Sequence, residues 1–241
     1  SWGRVQTYRI NALQQMDGVE LYPGSELGVD DILMMEHSHV AIATGARWTR
    51  HLYSRMEIPV GTLEREGVYT PDDIAAGIIP RGPVLVFDYD NYYLGGVLAE
   101  HLAEQGLQVH YATPAGHASA WTIMTNEQPF VHQALARHGV GLSTMSLLTD
   151  FDGSAATLEG LFDQKSFSIP CQSVLIVGHR VGNDSLYQSL LARRAEWADA
   201  GVESVTAIGD ARAPGAIVHA VYSGHEFGRE LGVESTRFLR D

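Results

Sequence analysis

The segment PVLVFDYDNYYLGGVLAEHLAEQGLQVHYAT, residues 83–113, decides the fold. Residues 83–88 form an apolar run of the kind found in buried strands, and apolar side chains recur at helical spacing over about 92–105. A second short apolar run follows at 109–113. A strand, a helix and a strand within some thirty residues make a βαβ unit, so we predict an α/β fold with a parallel sheet.

The rest of the chain alternates in the same way. Further helices are predicted at about 5–16, 127–138, 184–199 and 216–231, with a short helical turn opening at Asp30-Asp31. Further strands are predicted at 19–22, 39–45, 173–178 and 205–210. Residues 46–82 show no sustained period and are predicted to be a linker, apart from a helix start at Thr70-Pro71-Asp72-Asp73.

Composition excludes several classes of partner. The net charge of -13 repels phosphate backbones and anionic lipids, so neither nucleic acid nor a membrane surface is expected as a partner. No apolar run reaches the ~20 residues of a membrane span, and we predict a cytoplasmic protein. The single cysteine, Cys171, cannot supply an iron–sulfur cluster, and the histidines lack metal-ligand spacing, so no metal site is predicted.

The turn after the strand at 83–88 lacks a phosphate-binding motif. A Rossmann domain places G-x-G-x-x-G there, so that pyrophosphate can approach bare backbone at a helix N-terminus. This chain instead has Asp88-Tyr89-Asp90-Asn91-Tyr92-Tyr93-Leu94-Gly95-Gly96. Because carboxylates repel pyrophosphate and tyrosines fill its space, we predict that this domain binds NAD(P) weakly or not at all, no tighter than ~1 mM.

Two short glycine turns suggest a dinucleotide site elsewhere. Ala43-Thr44-Gly45 ends one predicted strand, and Gly209-Asp210-Ala211 follows another, ahead of the final helix. A glycine lets backbone pass close to a nucleotide, and an acid can accept a hydrogen bond from a ribose hydroxyl. Either turn alone is a common strand ending. Together they are typical of the dinucleotide sites of flavoprotein reductases.

Several longer runs, in order, resemble one family: the trimethylamine, dimethylamine and histamine dehydrogenases, relatives of 2,4-dienoyl-CoA reductase. The similar runs are Trp2-Gly3-Arg4, Tyr8-Arg9, Ala43-Thr44-Gly45-Ala46-Arg47-Trp48, Thr70-Pro71-Asp72-Asp73, Asn91-Tyr92-Tyr93, Ser119-Ala120-Trp121-Thr122 and Gly209-Asp210-Ala211-Arg212-Ala213-Pro214. The likeness covers nearly the whole chain and is to the C-terminal half of these enzymes.

The resemblance implies a larger protein with an N-terminal TIM barrel that carries covalent FMN and a 4Fe-4S cluster. It implies a Rossmann-like FAD/NAD(P)-binding fold for this chain. Residues 1–80 and 203–241 would form part of an ADP- or FAD-type domain without its first glycine-rich βαβ unit, interrupted by an NAD(P)-like domain at 81–202. Carried over by motif position, the ADP or FAD contacts would be Thr44, Gly45, Gly209, Asp210, Ala211 and Ile217.

Three functional hypotheses follow. The first is a nucleotide-binding module of an amine dehydrogenase, partnered by the barrel of the parent protein and inactive alone, since no FMN or cluster ligands are present. The first residue is not Met, which also suggests a piece of a longer protein. The second is a docking or assembly module for an electron-transfer protein or another subunit. The third is an NAD(P)H-dependent flavin reductase, which the glycine-poor loop at 88–96 disfavours.

Overall fold

The computed structural model describes residues 3–54, 56 and 58–231, and in them helices alternate with short strands. The helices are α1 (Gly3–Gln14), α2 (Val29–Met34), α3 (Pro71–Ala75), α4 (Tyr93–Glu104), α5 (Gln128–Arg137), α6 (Ser185–Ala192) and α7 (Ile217–Glu230). The strands are β1 (His39–Ile42), β2 (Ala46–Trp48), β3 (His51–Tyr53), β4 (Pro59–Thr62), β5 (Val68–Tyr69), β6 (Val84–Asp88), β7 (Val109–Ala112), β8 (Gly141–Ser143), β9 (Ser146–Phe151), β10 (Ala155–Gly160), β11 (Ser166–Pro170), β12 (Ser173–Val177), β13 (Arg180–Gly182) and β14 (Ser204–Ala207).

A five-stranded parallel sheet forms the centre of the larger part, in the order β5-β12-β6-β7-β8. Strands β6 and β12 are buried along their whole length, as their unbroken apolar sequences predict. Alternate side chains point to opposite faces of the sheet. Val84 and Val86 pack with residues of α4 and α5, whereas Leu85 and Phe87 pack with β9 and β10.

The second face of this sheet is covered by an antiparallel meander, not by helices. Strands β9, β10 and β11 pair in sequence order, and Ala156 opposes both Phe151 and Ile169. The central sheet has the parallel architecture predicted for the whole chain, whereas this meander departs from it.

Contacts divide the chain into two compact units. The first unit comprises residues 1–42 and 185–206, and the second comprises residues 43–184 and 207–241, in each case as far as they are described. In the first unit, Ile32, Leu33, Ile42 and Leu190 form a core with Trp197. The predicted insert, 81–202, has different boundaries, and β5 lies before it in sequence although it belongs to the central sheet. The domain limits stay a prediction.

Most predicted elements occur within one to three residues of their predicted bounds. Three predictions are wrong. Residues 19–22 form no strand and are exposed; the helix predicted at 184–199 ends at Ala192 and is followed by a 3-10 turn at Arg194–Glu196; and 46–82 is not a linker, because it contains β2 to β5 and α3. Among the described residues, no helix is long and apolar enough to cross a bilayer.

Candidate nucleotide-binding site

The turn at Thr44 and Gly45 is fastened to the end of β13. Gly45 has a φ of +74°, a left-handed conformation that glycine adopts without strain. The N–H of Asn183 donates to the Gly45 carbonyl at 2.9 Å, and the Asn183 side-chain amide donates to the Thr44 carbonyl at 3.3 Å. The Thr44 hydroxyl donates to the carbonyl of Asn183. Three hydrogen bonds thus hold this turn in one conformation.

The second turn, Gly209–Ala211, is a single 3-10 turn that lies against α7. Gly209 has a φ of +57°, and its N–H donates to the Ser223 hydroxyl at 3.0 Å. A Cβ at this glycine would lie 3.6 Å from the Cβ of Ala220. Because Ser223 and Ala220 belong to α7, these contacts fix the turn near the start of the final helix, where Ile217 is 55% exposed.

Asp210 is held by an arginine that the sequence analysis did not single out. Its Oδ2 accepts from Nη1 of Arg180 at 2.8 Å, and its Oδ1 accepts from the N–H of Gly215 at 3.1 Å. The other guanidinium nitrogen, Nη2, donates to the Gly215 carbonyl at 2.8 Å. The Arg180 guanidinium also lies 5.3 Å from the centroid of the Trp48 ring. Arg180 therefore closes the loop between the 209–211 turn and α7.

Asp210 does not cap α7. The cap position is Ala216, whose N–H donates to Nδ1 of His219 at 3.1 Å. The expected position of Asp210 beside the helix N-terminus is only approximate, since the loop to Gly215 separates the two.

Gly182 brings the two turns together. It pairs with Ala46 at the end of β13, and a Cβ on Gly182 would lie 2.5 Å from the carbonyl oxygen of Ala211 and 3.0 Å from that of Asp210. No real side chain tolerates such distances, so only glycine fits. One residue later, Asn183 carries the bonds to Gly45. Both predicted turns thus meet at the carboxyl end of β13, within the second unit.

Arg180, Gly182 and Asn183 are site residues that no sequence pattern predicted. They lie on and just after a three-residue strand, which is too short for an alternating pattern to be recognised. A glycine and an asparagine, which are common in loops, do occur in the segment at 179–183. However, no spacing in the sequence links this segment to residues 44 or 210.

The loop after β6 is closed by its own side chains. Asp88 is completely buried and accepts from the Tyr111 hydroxyl and, at 2.9 Å, from the N–H of Asn91. Burial raises the pKa of Asp88 to about 7, and the bond from Tyr111 works in the opposite direction. A Cβ on Gly95 would lie 2.4 Å from Cγ of Asp88. The carboxyl group therefore occupies the space between β6 and the first turn of α4.

This geometry changes the reason for the predicted weak binding of NAD(P). Asp88 points inward, so it does not meet a ligand as an exposed charge. Asp90 is partly exposed, and burial raises its pKa, whereas nearby Arg180 lowers it. Tyr92 and Tyr93 contact each other edge to face at 4.9 Å at the start of α4. The obstacle at this loop is mainly the enclosed Asp88 and the packing around it.

Three known proteins are similar over most of this chain. Dimethylamine dehydrogenase of Hyphomicrobium sp. (strain x) is 30% identical over 224 residues, which are 84% of this chain and 30% of that protein. Histamine dehydrogenase from Rhizobium sp. 4-9 is 37% identical with a TM-score of 0.92, over 98% of this chain and 37% of that one. 6-Hydroxypseudooxynicotine amine oxidase from Pseudomonas geniculata N1 is 34% identical with a TM-score of 0.88, over 96% of this chain and 34% of that one. The chain is homologous to the trimethylamine, dimethylamine and histamine dehydrogenase family.

The chain spans about a third of the length of each of these three relatives. No protein-family model matches it. At the level of fold alone, it is also similar to 2-naphthoyl-CoA reductase, with a TM-score of 0.75 at 18% identity, and to thioredoxin reductase of T. acidophilum, with a TM-score of 0.54 at 15% identity. The resemblance and the Rossmann-like FAD/NAD(P)-binding fold inferred from the sequence are both confirmed.

Proposed function

We propose that the chain is the C-terminal nucleotide-binding module of an FMN- and iron–sulfur-dependent amine dehydrogenase. The observation that carries this proposal is the meeting of the Thr44-Gly45 and Gly209–Ala211 turns at β13, in a chain homologous to these enzymes over most of its length. The reaction would occur in the barrel of the parent protein, which is the main proposed partner. The isolated module, proposed to be cytoplasmic, is then inactive toward amines.

The proposed ligand is ADP or FAD, bound along the two turns by Thr44, Gly45, Gly209, Asp210, Ala211 and Ile217. Backbone N–H groups and the start of α7 would face its phosphates. Each oxygen of Asp210 already accepts one hydrogen bond, from Arg180 and from Gly215. A carboxylate retains further lone pairs for a ribose hydroxyl.

Nucleotide released from the parent enzyme tests this proposal. After denaturation, chromatography identifies ADP or FAD and gives its amount per protein. Asp210→Asn is expected to weaken retention by ~1.5–3 kcal/mol, the worth of a hydrogen bond to a charged group. The matched control is Asp150→Asn, a change at an exposed acid on β9. The isolated chain is expected to reduce no dye in the presence of amines.

Three results would count against the proposal. If the Asp210 variant keeps its nucleotide but melts at a lower temperature, the carboxylate serves only to hold the turn through Arg180 and Gly215. If the parent enzyme releases neither ADP nor FAD, the module has another role. Dye reduction by the isolated chain would refute its inactivity.

A docking module for an electron-transfer protein is the second candidate function. The observation that favours it is a group of large apolar side chains that are 58–74% exposed around the 3-10 helix Ala120–Thr125 and the start of α5. They are Trp121, Ile123, Met124 and Phe130. Exposed apolar groups of this kind often mark protein interfaces. The third hypothesis, an NAD(P)H reductase, is disfavoured by the closed loop at Asp88.

A further inference from the structure

Three side chains that can bind a metal ion converge where two helices of the second unit end. They are Glu100, Glu104 and His138, and one ligand atom of each lies within 4.8 Å of the others. Nε2 of the histidine is 3.9 Å from Oε1 of Glu104, which is beyond hydrogen-bonding distance. The imidazole is therefore close to the carboxylates without being bonded to them.

The backbone of two packed helices sets this arrangement. Glu100 and Glu104 are one turn apart on α4 and share a face. His138 is the C-cap of α5, and its N–H donates to the Ala134 carbonyl at 3.1 Å. The helices approach so closely that a Cβ on Gly96 of α4 would lie 2.5 Å from Cγ1 of Val131 in α5. The three ligands thus start from rigid elements.

Electrostatics at this point favour a cation. Two carboxylates one helical turn apart repel each other. Both α4 and α5 lead into neighbouring parallel strands, so their C-termini, each equivalent to about half a negative charge, lie at the same edge of the sheet. In the described part of the chain, the side chain of Glu100 has no hydrogen bond or ion pair, and Arg137 pairs with neither glutamate. Among the described residues, the one ion pair to these two carboxylates is that of His138 with Glu104, so a bound cation would add charge compensation.

The ligand set selects the class of metal. Calcium and magnesium take oxygen ligands and, in calcium's case, six to eight of them. One imidazole with two carboxylates suits zinc and similar divalent ions, which are bound by three protein ligands where a fourth position is left for water. We propose that Glu100, Glu104 and His138 bind one divalent transition-metal ion of the zinc class, which links the C-terminal ends of α4 and α5.

No sequence motif predicts this site, because His138 follows a different helix from the one that carries the two glutamates. The sequence predicts no metal site because the histidines lack metal-ligand spacing. That prediction does not apply to a site formed by one histidine and two glutamates. The site is also separate from the two turns of the proposed nucleotide site, so its test does not depend on nucleotide binding.

Competition with a chromophoric chelator tests the proposal on the purified 241-residue chain, stripped with EDTA and titrated with Zn²⁺. One site in the micromolar range is expected. Glu100→Gln and His138→Gln should each weaken it at least tenfold, because each removes one of three ligands. His101→Gln, on the same helix but outside the triad, is the matched control and should bind as the unsubstituted chain does. Circular dichroism checks that each variant is folded.

A second measurement uses thermal unfolding. Zn²⁺ should raise the melting temperature of the unsubstituted chain and of His101→Gln, and should leave that of Glu100→Gln unchanged. The proposal is overturned if the chain binds no Zn²⁺ below ~1 mM, if the triad variants bind as tightly as the unsubstituted chain, or if His101→Gln loses binding equally. Displacement of Zn²⁺ by equimolar Mg²⁺ would overturn the assignment to a transition metal. If His138→Gln does not fold, Glu100→Gln decides.

Discussion

The second unit contains two regions where a nucleotide-binding fold would place a glycine turn, and they are built in opposite ways. At Gly45 and Gly209, glycines with positive φ let the backbone turn beside β13. After β6, the equivalent space is filled by the buried carboxyl group of Asp88, and Gly95 leaves room for that side chain. Glycines at such a junction can therefore make room for a protein side chain instead of a phosphate.

The largest expected effect tests the buried acid. The folded-state pKa of Asp88 is about 7, above the 3.8 of an exposed aspartate, so folding favours its protonated form. Stability from this group is present at low pH and is lost as pH rises toward 7. Between pH 5 and pH 8 the chain should lose about 2–3 kcal/mol of unfolding free energy more than Asp88→Asn does.

Urea unfolding of both proteins at several pH values measures that difference. Groups that do not interact with Asp88 titrate alike in the two proteins, so the separation between the curves belongs to Asp88 and its neighbours Asp90 and Tyr111. Asp88→Asn is therefore expected to gain relative stability as pH rises. If the unfolding free energies of the two proteins change with pH in parallel, the Asp88 carboxyl group is ionised in the folded chain. The loop after β6 would then differ from the glycine turns by its negative charge and not by its filled space.

A somewhat smaller loss of unfolding free energy is expected when a side chain is added at Gly95, beside the Asp88 carboxyl group. In Gly95→Ala, the new Cβ would overlap the Asp88 carboxyl group, and such overpacking costs about 1–3 kcal/mol. Gly106→Ala is not a suitable control, since Gly106 has a φ of +86°. Gly61→Ala is better, because a Cβ there meets nothing within 4 Å and its φ is not positive.

A double-mutant cycle between positions 95 and 88 identifies the cause of the lost stability. If the cost of Gly95→Ala comes from Asp88, it should shrink in a chain that already carries Asp88→Gly, which removes both the carboxyl group and the Cβ that would lie 2.7 Å from the new Cβ. Urea unfolding of the single and double variants measures this. Equal costs in both backgrounds would show that Gly95 is needed for another contact, and Asp88 would no longer explain the glycine.

The central sheet and its helices could be predicted because their signals are local. Strands β6 and β12 are unbroken apolar runs, and α4 and α5 repeat at helical spacing over ten residues or more. Residues 46–82 could not be predicted, because β2 to β5 have only two to four residues each. Two of these strands pair with distant segments, β2 with β13 and β5 with β12, and no local pattern contains that information.

The candidate site shows the same division. Gly45 and Gly209 were recognised from short motifs, and both have the positive φ that explains a glycine. Arg180, which holds Asp210, could not be predicted, because a lone arginine in a loop has no pattern that names its partner. Gly182 is required by the approach of the Ala211 carbonyl, and this contact exists only once the chain has folded.

The smallest expected effect concerns the open turn at Gly45. A Cβ there meets nothing within 4 Å, so a substitution costs only the strain of φ at +74°. Gly45→Ala should therefore lower the unfolding free energy by ~1 kcal/mol, and Gly45→Asn by less, because asparagine adopts left-handed backbone more readily. Urea unfolding compares the two variants with the unsubstituted chain. An alanine cost as large as that at Gly95 would reveal a hidden steric contact, and equal tolerance of alanine and glycine would mean that the three bonds between this turn and Asn183 do not hold its backbone in place. Either result would remove the distinction between the turn at Gly45, where the backbone conformation requires glycine, and the loop after β6, where the Asp88 side chain requires it.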